Sequence, residues 1–265
     1  MPKKILFAGP FVGEFGMELF TWQGHIRKMS REFDKTIVSS RPIYQFLYKD
    51  FCDEFVPYDP GSYNGDGYEC IDRPPPPNIH DGYNATKVLR VIDLQSYLKN
   101  INGTPQEFID YKSLKNAGYD IDICICARSF KQGAETKLER NWEIESCKRM
   151  VAMLLDSGYK VASVGMSNSA THIDGTKDMM NIDISTFANL LSFSKVLVGP
   201  SSGAIHFATL CKCPHVTWGS DHLAKRYQQE WNPFKTPVEY LVENEWNPSE
   251  NKIFEAIKKI IGSQQ

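Results

Sequence analysis

The sequence predicts an α/β protein built from two successive parallel-sheet units. Short apolar runs of strand length alternate with stretches of helical spacing, a rhythm that joins strands in parallel. The rhythm dissolves between Tyr58 and Tyr83 and starts again at Asp120. A length of 265 residues suits one large domain or two modest ones. The units are placed at 1–118 and 119–248, with a closing helical segment at 249–265.

In the first unit, Lys4 to Ala8 reads as a buried strand. It leads into a glycine-rich turn, Gly9-Pro-Phe-Val-Gly13-Glu-Phe-Gly16. Met17 to Arg31 follows with helical spacing, its stripe being Leu19, Trp22, Ile26 and Met29. Lys35 to Ser39 is a second strand. Pro42 to Lys49 fits a short helix with proline in its first turn. Phe55-Val56-Pro57 is a short third strand. Gly61, Gly65, Gly67 and the Pro74–Pro77 run then mark a long irregular segment, with the prolines favouring an extended stretch. Lys87 to Lys99 is expected to return to helix or mixed structure, and Phe108 to Ala117 to form a helix closed by Gly118.

In the second unit, Ile121, Ile123 and Ile125 form a strand that runs into Arg128-Ser-Phe-Lys131 and a polar loop. Trp142 to Ser157 is a helix with Cys147, Met150, Val151, Leu154 and Leu155 on one face, ended by Gly158. Lys160 to Val164 is a strand. Asp183 or Ser185 caps a helix carrying Phe187, Leu190 and Leu191. Val196 to Gly199 is a strand, Gly203 to Leu210 a helix, and His215 to Trp218 a strand. Ser249 caps a last helix with Ile253, Ala256, Ile257, Ile260 and Ile261 facing inward.

Composition narrows the partners. Hydrophobic residues make up 42% of the chain, enough for a sizeable core. Charged residues at 23% and a formal net charge of −2 exclude an intrinsically disordered chain. They also leave no global basic field for nucleic acid or an anionic membrane. No stretch approaches the roughly 20 apolar residues of a membrane helix, so no stable membrane insertion is expected. Met1-Pro2-Lys3-Lys4 runs at once into Ile5-Leu6-Phe7-Ala8, which reads as a cytoplasmic chain without a leader. The Cys124-x-Cys126 and Cys211-x-Cys213 pairs lack a CxxC knuckle and are assigned to packing in a reducing compartment.

In open parallel sheets, ligands bind beyond the carboxyl ends of the strands. The loop that is richest in such signals is Val198-Gly199-Pro200-Ser201-Ser202-Gly203-Ala204-Ile205-His206. A strand ends, small residues turn, and a helix begins, offering amides and a partial positive charge to a phosphate or diphosphate. Ser201 and Ser202 cap the helix or bond phosphate oxygens, Gly203 admits the ligand, and His206 lies one turn in.

The stretch from Ile184 through Val198-Gly199-Pro200-Ser201-Ser202-Gly203 to Trp218-Gly219 resembles the donor half of GT-B glycosyltransferases. It is most similar to the lipopolysaccharide heptosyltransferase (ADP-heptose transferase) family, over roughly residues 120–220. The resemblance implies two Rossmann-like domains facing across a cleft, the closing helix crossing back toward the first. It also implies transfer of a sugar from a nucleotide-sugar donor to an acceptor hydroxyl, inverting, with no metal and no cofactor. Ser201, Ser202 and Gly203 would then hold the donor diphosphate, with His206 nearby. Arg140, two residues before Trp142, matches the family's phosphate-binding base, and Arg128 and Lys131 would assist. In the first strand-to-helix loop Glu14 would be the catalytic base, with Glu18 in reserve, and Gly13 and Trp22 would meet the acceptor. Ser201 replaces the family's Asp, and Ser167 and Asn168 stand where an acid for the donor ribose is often found. The sugar and nucleobase are therefore left open. The acceptor is expected to be a glycan or glycolipid, or alternatively a modified nucleic-acid base.

Two other classes compete. Gly9-x3-Gly13-x2-Gly16 and Tyr111-x3-Lys115 mimic a short-chain NAD(P) oxidoreductase, but no acidic residue closes the second strand, where Ser39-Ser40-Arg41 stands. A non-catalytic nucleotide-sugar-binding protein is the other, motivated by Ser201.

Overall fold

A computed structural model describes residues 2–59, 78–90, 103–114, 118–129, 138–242 and 246–263. The chain divides into two compact units, Met1–Phe108 and Ile109–Gln265, so the division falls earlier than the 118/119 boundary read from the sequence. The Pro74–Pro77 run, Lys131 and Lys115 lie outside the described residues.

The first unit holds four parallel strands, β1 (Ile5–Ala8), β2 (Lys35–Ser40), β3 (Glu54–Pro57) and β4 (Lys87–Leu89), in the order β3-β2-β1-β4. The stretch Lys87 to Lys99, expected as helix or mixed structure, opens as a strand, and residues 91–99 of it lie outside the described residues. Its first three residues extend the sheet because Leu6, Phe7 and Ala8 of β1 offer an edge to pair with. The first helix is also less regular than its stripe suggests. It starts as α1 (Phe15–Met17), widens into a π-helical turn over Glu18–Trp22, and continues as α2 (Gln23–Ser30). Leu19, Trp22 and Ile26 are fully buried beneath it. Pro42–Tyr48 is a 3-10 helix.

The second unit is a six-stranded parallel sheet in the order β10-β9-β8-β5-β6-β7. Its strands are β5 (Ile123–Ile125), β6 (Val161–Gly165), β7 (Lys177–Met180), β8 (Val196–Pro200), β9 (His215–Trp218) and β10 (Val238–Leu241). One face is covered by α3 (Ile144–Asp156), whose first turn is capped by Glu143, and by α6 (Glu250–Gly262), capped by Ser249. Ile123, Ile125, Val196, Val198 and Val216 of the sheet pack with Met150, Val151 and Leu154 of α3 and with Ile253, Ile257 and Ile260 of α6. The stripe of α6 is thus spent on the core of its own unit. The other face meets α4 (Ile184–Phe193), capped by Asp183, and α5 (Gly203–Leu210). Of the helix expected over Phe108–Ala117, the described residues form a 3-10 turn, Tyr111–Leu114, pinned by Tyr111 against Phe207, and residues 115–117 lie outside them. Among the described residues no helix is long and apolar enough to cross a membrane.

Candidate active site

Both units present their loops at the carboxyl ends of parallel strands. In the second unit, β8 is buried along its whole length and ends at Pro200. It runs close to β5: a Cβ on Gly199 would meet the Cys126 carbonyl oxygen at 2.6 Å. Ser201 and Ser202 then turn the chain into α5. Ser202 is extended (φ −160°, ψ 167°) and its side chain does not cap the helix.

A tyrosine from the far end of the sheet fixes this turn. The Ser202 backbone N–H donates to the Tyr227 hydroxyl at 3.2 Å, and that hydroxyl donates to Ser201 Oγ at 2.9 Å. Arg140 Nη2 donates to the Ser201 carbonyl at 2.8 Å, while its guanidinium lies 4.8 Å from the Trp246 ring centre. His206 is buried, stacked on Tyr227 at 4.0 Å with an interplanar angle of 10° and meeting Trp231 at 4.7 Å. Burial, then the charges of Arg226, His215 and Arg140, hold its imidazole well below its ordinary titration range, so the ring is neutral at pH 7.

Arg128 lies three residues past the end of β5 and is 8% exposed. Its amide donates to the Cys126 carbonyl at 2.9 Å and its carbonyl accepts from Trp142 N–H at 3.0 Å, which ties the strand end to the start of the α3 segment. The Cys126 thiol lies beside the Ser202 hydroxyl and the Arg128 charge; burial pushes it up to about 11, so it is a thiol at neutral pH. Arg140, Ser201, Ser202 and His206 therefore converge on one helix start, and Arg128 joins them through Cys126. Arg226 also reaches this cluster, 4.5 Å above the Trp231 ring. Its neighbour Lys225 pairs with Glu230 at 3.0 Å, whereas no carboxylate pairs with Arg226 among the described residues.

In the first unit, the Gly9–Gly16 loop is held from below. Arg41, at the end of β2, donates to the Gly13 carbonyl at 2.8 Å and to the Val12 carbonyl at 3.1 Å. A Cβ on Gly13 would meet the Phe11 ring at 2.6 Å, so the tight turn requires glycine there. Glu14 is half-buried and precedes α1; its carbonyl accepts from Glu18 N–H at 2.9 Å. Trp22 is fully buried against Phe11, ring centres 5.3 Å apart, and so supports the loop from beneath.

Glu18 is fully buried as well. The Ser40 and Tyr48 hydroxyls both donate to its Oε1, while Oε2 is buried without a hydrogen-bond partner. Burial raises its titration from 4.5 to about 7, against the two hydroxyl donors and the Arg41 charge, which pull it down.

Sequence reasoning missed Tyr227, Trp231 and Trp246 on one unit and Ser40, Arg41 and Tyr48 on the other, and named Arg226 only as the end of a loop, Gly219–Arg226, that follows a strand. Ser39-Ser40-Arg41 carried a signal of the same kind, standing at the carboxyl end of a strand. Asp120-Ile-Asp122 lies at the opposite edge, where Asp122 accepts from Lys160 N–H at 2.9 Å and pairs with Lys195 at 2.8 Å.

No protein-family model matches the chain, and no curated protein matches it. Solved structures do. The chain is similar to the E. coli ADP-heptose lps heptosyltransferase II, with TM-score 0.64 and 14% identity over 98% of this chain and 99% of that one. It is similar to a glycosyl transferase family 9 protein of Veillonella parvula DSM 2008, with TM-score 0.60 and 13% identity over 98% of both chains. It is also similar to the iron-containing heptosyltransferase TibC, with TM-score 0.55 and 16% identity over 99% of this chain and 74% of that one. At these identities what is shared is the fold, a GT-B-like pair of Rossmann-like α/β units.

Proposed function

We propose that the chain is a glycosyltransferase that moves a sugar from a nucleotide-sugar donor to an acceptor hydroxyl, with inversion and without a divalent metal. The observation that carries this reading is the convergence of Arg140, Ser201, Ser202 and Tyr227 on the start of α5, at the carboxyl end of β8. Solved structures that share the fold include one in complex with ADP-D-beta-D-heptose.

In this reading the second unit binds the donor. The amides at the start of α5, beginning at Gly203, and the Arg140 guanidinium take the diphosphate oxygens, with Arg128 and Lys131 supporting. His206, neutral and stacked, holds Tyr227 in place. The first unit supplies the base. As the acceptor oxygen forms its bond to the anomeric carbon, Glu14 removes the hydroxyl proton. The bond from that carbon to the donor phosphate breaks, and its electron pair leaves with the diphosphate. The arginines and the helix start take up this charge, the role a metal plays in other transferases. Glu14 is preferred over Glu18 because Glu14 is half-buried and Glu18 is sealed from solvent. The acceptor is read as a glycan or glycolipid, and a modified nucleic-acid base is the second reading. The site of action is read as the cytoplasm.

The test is turnover of ADP-, UDP-, GDP- and dTDP-sugars, with each nucleotide also screened by thermal shift. Wild type should release nucleotide from one of them, with chelator present or absent. Glu14→Gln should lower kcat roughly 10²–10⁴-fold with donor affinity unchanged. Binding without turnover would favour a non-catalytic nucleotide-sugar-binding protein. Loss of turnover on chelation would refute the metal-independent step.

A further inference from the structure

Arg140 stands on a short 3-10 turn, Leu138–Arg140, and on no strand or α-helix. Such a turn does not by itself fix a long side chain. Two residues later Trp142 is buried in the core of the second unit. Its ring meets Trp218, the last residue of β9, edge to face, with centres 4.6 Å apart at 81°. Trp218 Nε1–H donates to the Trp246 carbonyl at 2.9 Å. The Trp246 ring in turn carries the Arg140 guanidinium, 4.8 Å from its centre. The contacts thus close on themselves, from Arg140 through Trp142, Trp218 and Trp246 back to Arg140.

The Trp246 ring is itself seated against backbone. A Cβ on Gly219 would meet its edge at 2.9 Å and the Tyr240 hydroxyl at 2.9 Å, so there is no room for a methyl group between them. The Tyr240 hydroxyl donates to the Ser220 carbonyl at 2.8 Å, which fastens the same strand end. Arg140 therefore has two fixed neighbours, the Trp246 ring and the Ser201 carbonyl that accepts from Nη2 at 2.8 Å. A planar guanidinium can lie over a ring and still donate in its own plane, and a lysine ammonium offers no such fork.

We infer that the three tryptophans form a bracket that holds the Arg140 guanidinium at the start of α5 before an anion arrives, and that Trp246 is a positioning residue for diphosphate binding. Ordering a long side chain opposes binding, and here the protein orders it in advance. The bracket also accounts for the Arg140-x-Trp142 spacing: the tryptophan anchors the turn in the core and the arginine is the arm that leaves it. That the anion is a donor diphosphate rests on the function proposed above; the bracket does not.

The arginine Nε–H signals of the isotope-labelled full chain test the bracket without a ligand. Arg140→Lys removes one signal and so assigns it. That signal should lie upfield of its position in Trp246→Leu, because a ring shields a group held over its face. An unmoved signal overturns the inference. Calorimetry with inorganic pyrophosphate tests the consequence. Trp246→Leu keeps the carbonyl that receives the Trp218 bond and removes the aromatic face. It should bind pyrophosphate about two- to fivefold more weakly, the worth of an exposed cation–π contact. Trp246→Phe should recover most of that affinity, and in an Arg140→Ala background Trp246→Leu should cost none. Gly219→Ala is the second route, since it keeps every tryptophan and displaces the Trp246 ring; its loss should likewise vanish in Arg140→Ala. Unchanged affinity in both Trp246→Leu and Gly219→Ala overturns the inference. So does a loss of the same factor with and without Arg140, which marks a purely structural role. A wild type that binds no pyrophosphate overturns the proposed function, whereas the ligand-free signal decides the bracket alone.

Discussion

Tyr227→Phe deletes one oxygen atom and leaves the ring. The stack on His206 at 4.0 Å and the contact with Tyr240 at 5.6 Å survive, so no cavity opens. What goes is the hydroxyl that bridges Ser201 Oγ and Ser202 N–H. Ser201 is 3% exposed, so its hydroxyl loses a donor where water does not replace it. Two hydrogen bonds at about 0.5–1.5 kcal/mol each, with one group left buried, give a loss of about 2 kcal/mol. Urea unfolding of the two proteins measures it. Saturating inorganic pyrophosphate should narrow the gap, because the freed Ser202 N–H becomes available to a phosphate oxygen. A loss below about 0.5 kcal/mol would show that the hydroxyl does not fasten the turn. A gap that stays constant while pyrophosphate stabilises both proteins would place the anion away from Ser202.

Three further outcomes are expected. Glu18 is neutral when folded below about 7 and ionises from 4.5 when unfolded, so its contribution is full below 4.5 and is lost as pH rises through about 7. Glu18→Gln should therefore be more stable than wild type above pH 8, by about 3 kcal/mol at the upper bound, with a flatter profile from pH 5; parallel profiles would refute it. Arg140→Ala should weaken nucleoside diphosphate binding by about 1.5–3 kcal/mol in calorimetry and leave the first unit's melting unchanged. Arg226→Ala should weaken the same binding by a smaller amount and cost little in folding, since among the described residues no carboxylate loses its partner and only the contact with the Trp231 ring goes; a strongly destabilised protein would contradict that.

The turn that opens α5 was legible because its signals are local. A buried strand, two serines, a glycine and a helix follow one another in the chain. Tyr227, Trp231 and Trp246 were not legible, because they reach Ser201, His206 and Arg140 only after the sheet has folded, and single aromatics carry no period. The strand Lys87–Leu89 was missed for a related reason: three residues on an edge with an exposed lysine give no alternation to read. The burial of Glu18 was not legible. Glu18, Trp22, Ile26 and Met29 sit at spacings of four and three, so an ordinary helix puts the carboxylate on the apolar stripe, and the sequence does not show that Ser40 and Tyr48 meet it there.

The π-helical turn over Glu18–Trp22 gives the helix two phases. A π-helical turn holds one residue more than the turn it replaces, and one residue is worth about 100° of rotation in an α-helix. Everything N-terminal to Glu18, including Glu14 and the glycine turn, is thus rotated relative to the buried Ile26 face. A one-residue deletion between Glu18 and Trp22 would make the helix regular and more comfortable. It would also swing the loop about the helix axis while the buried face stayed seated. The regular helix and the widened one thus index the loop differently on the same buried face, and the widened one points the loop's carboxylate the present way. Length in this segment therefore sets the direction of the loop relative to the buried face.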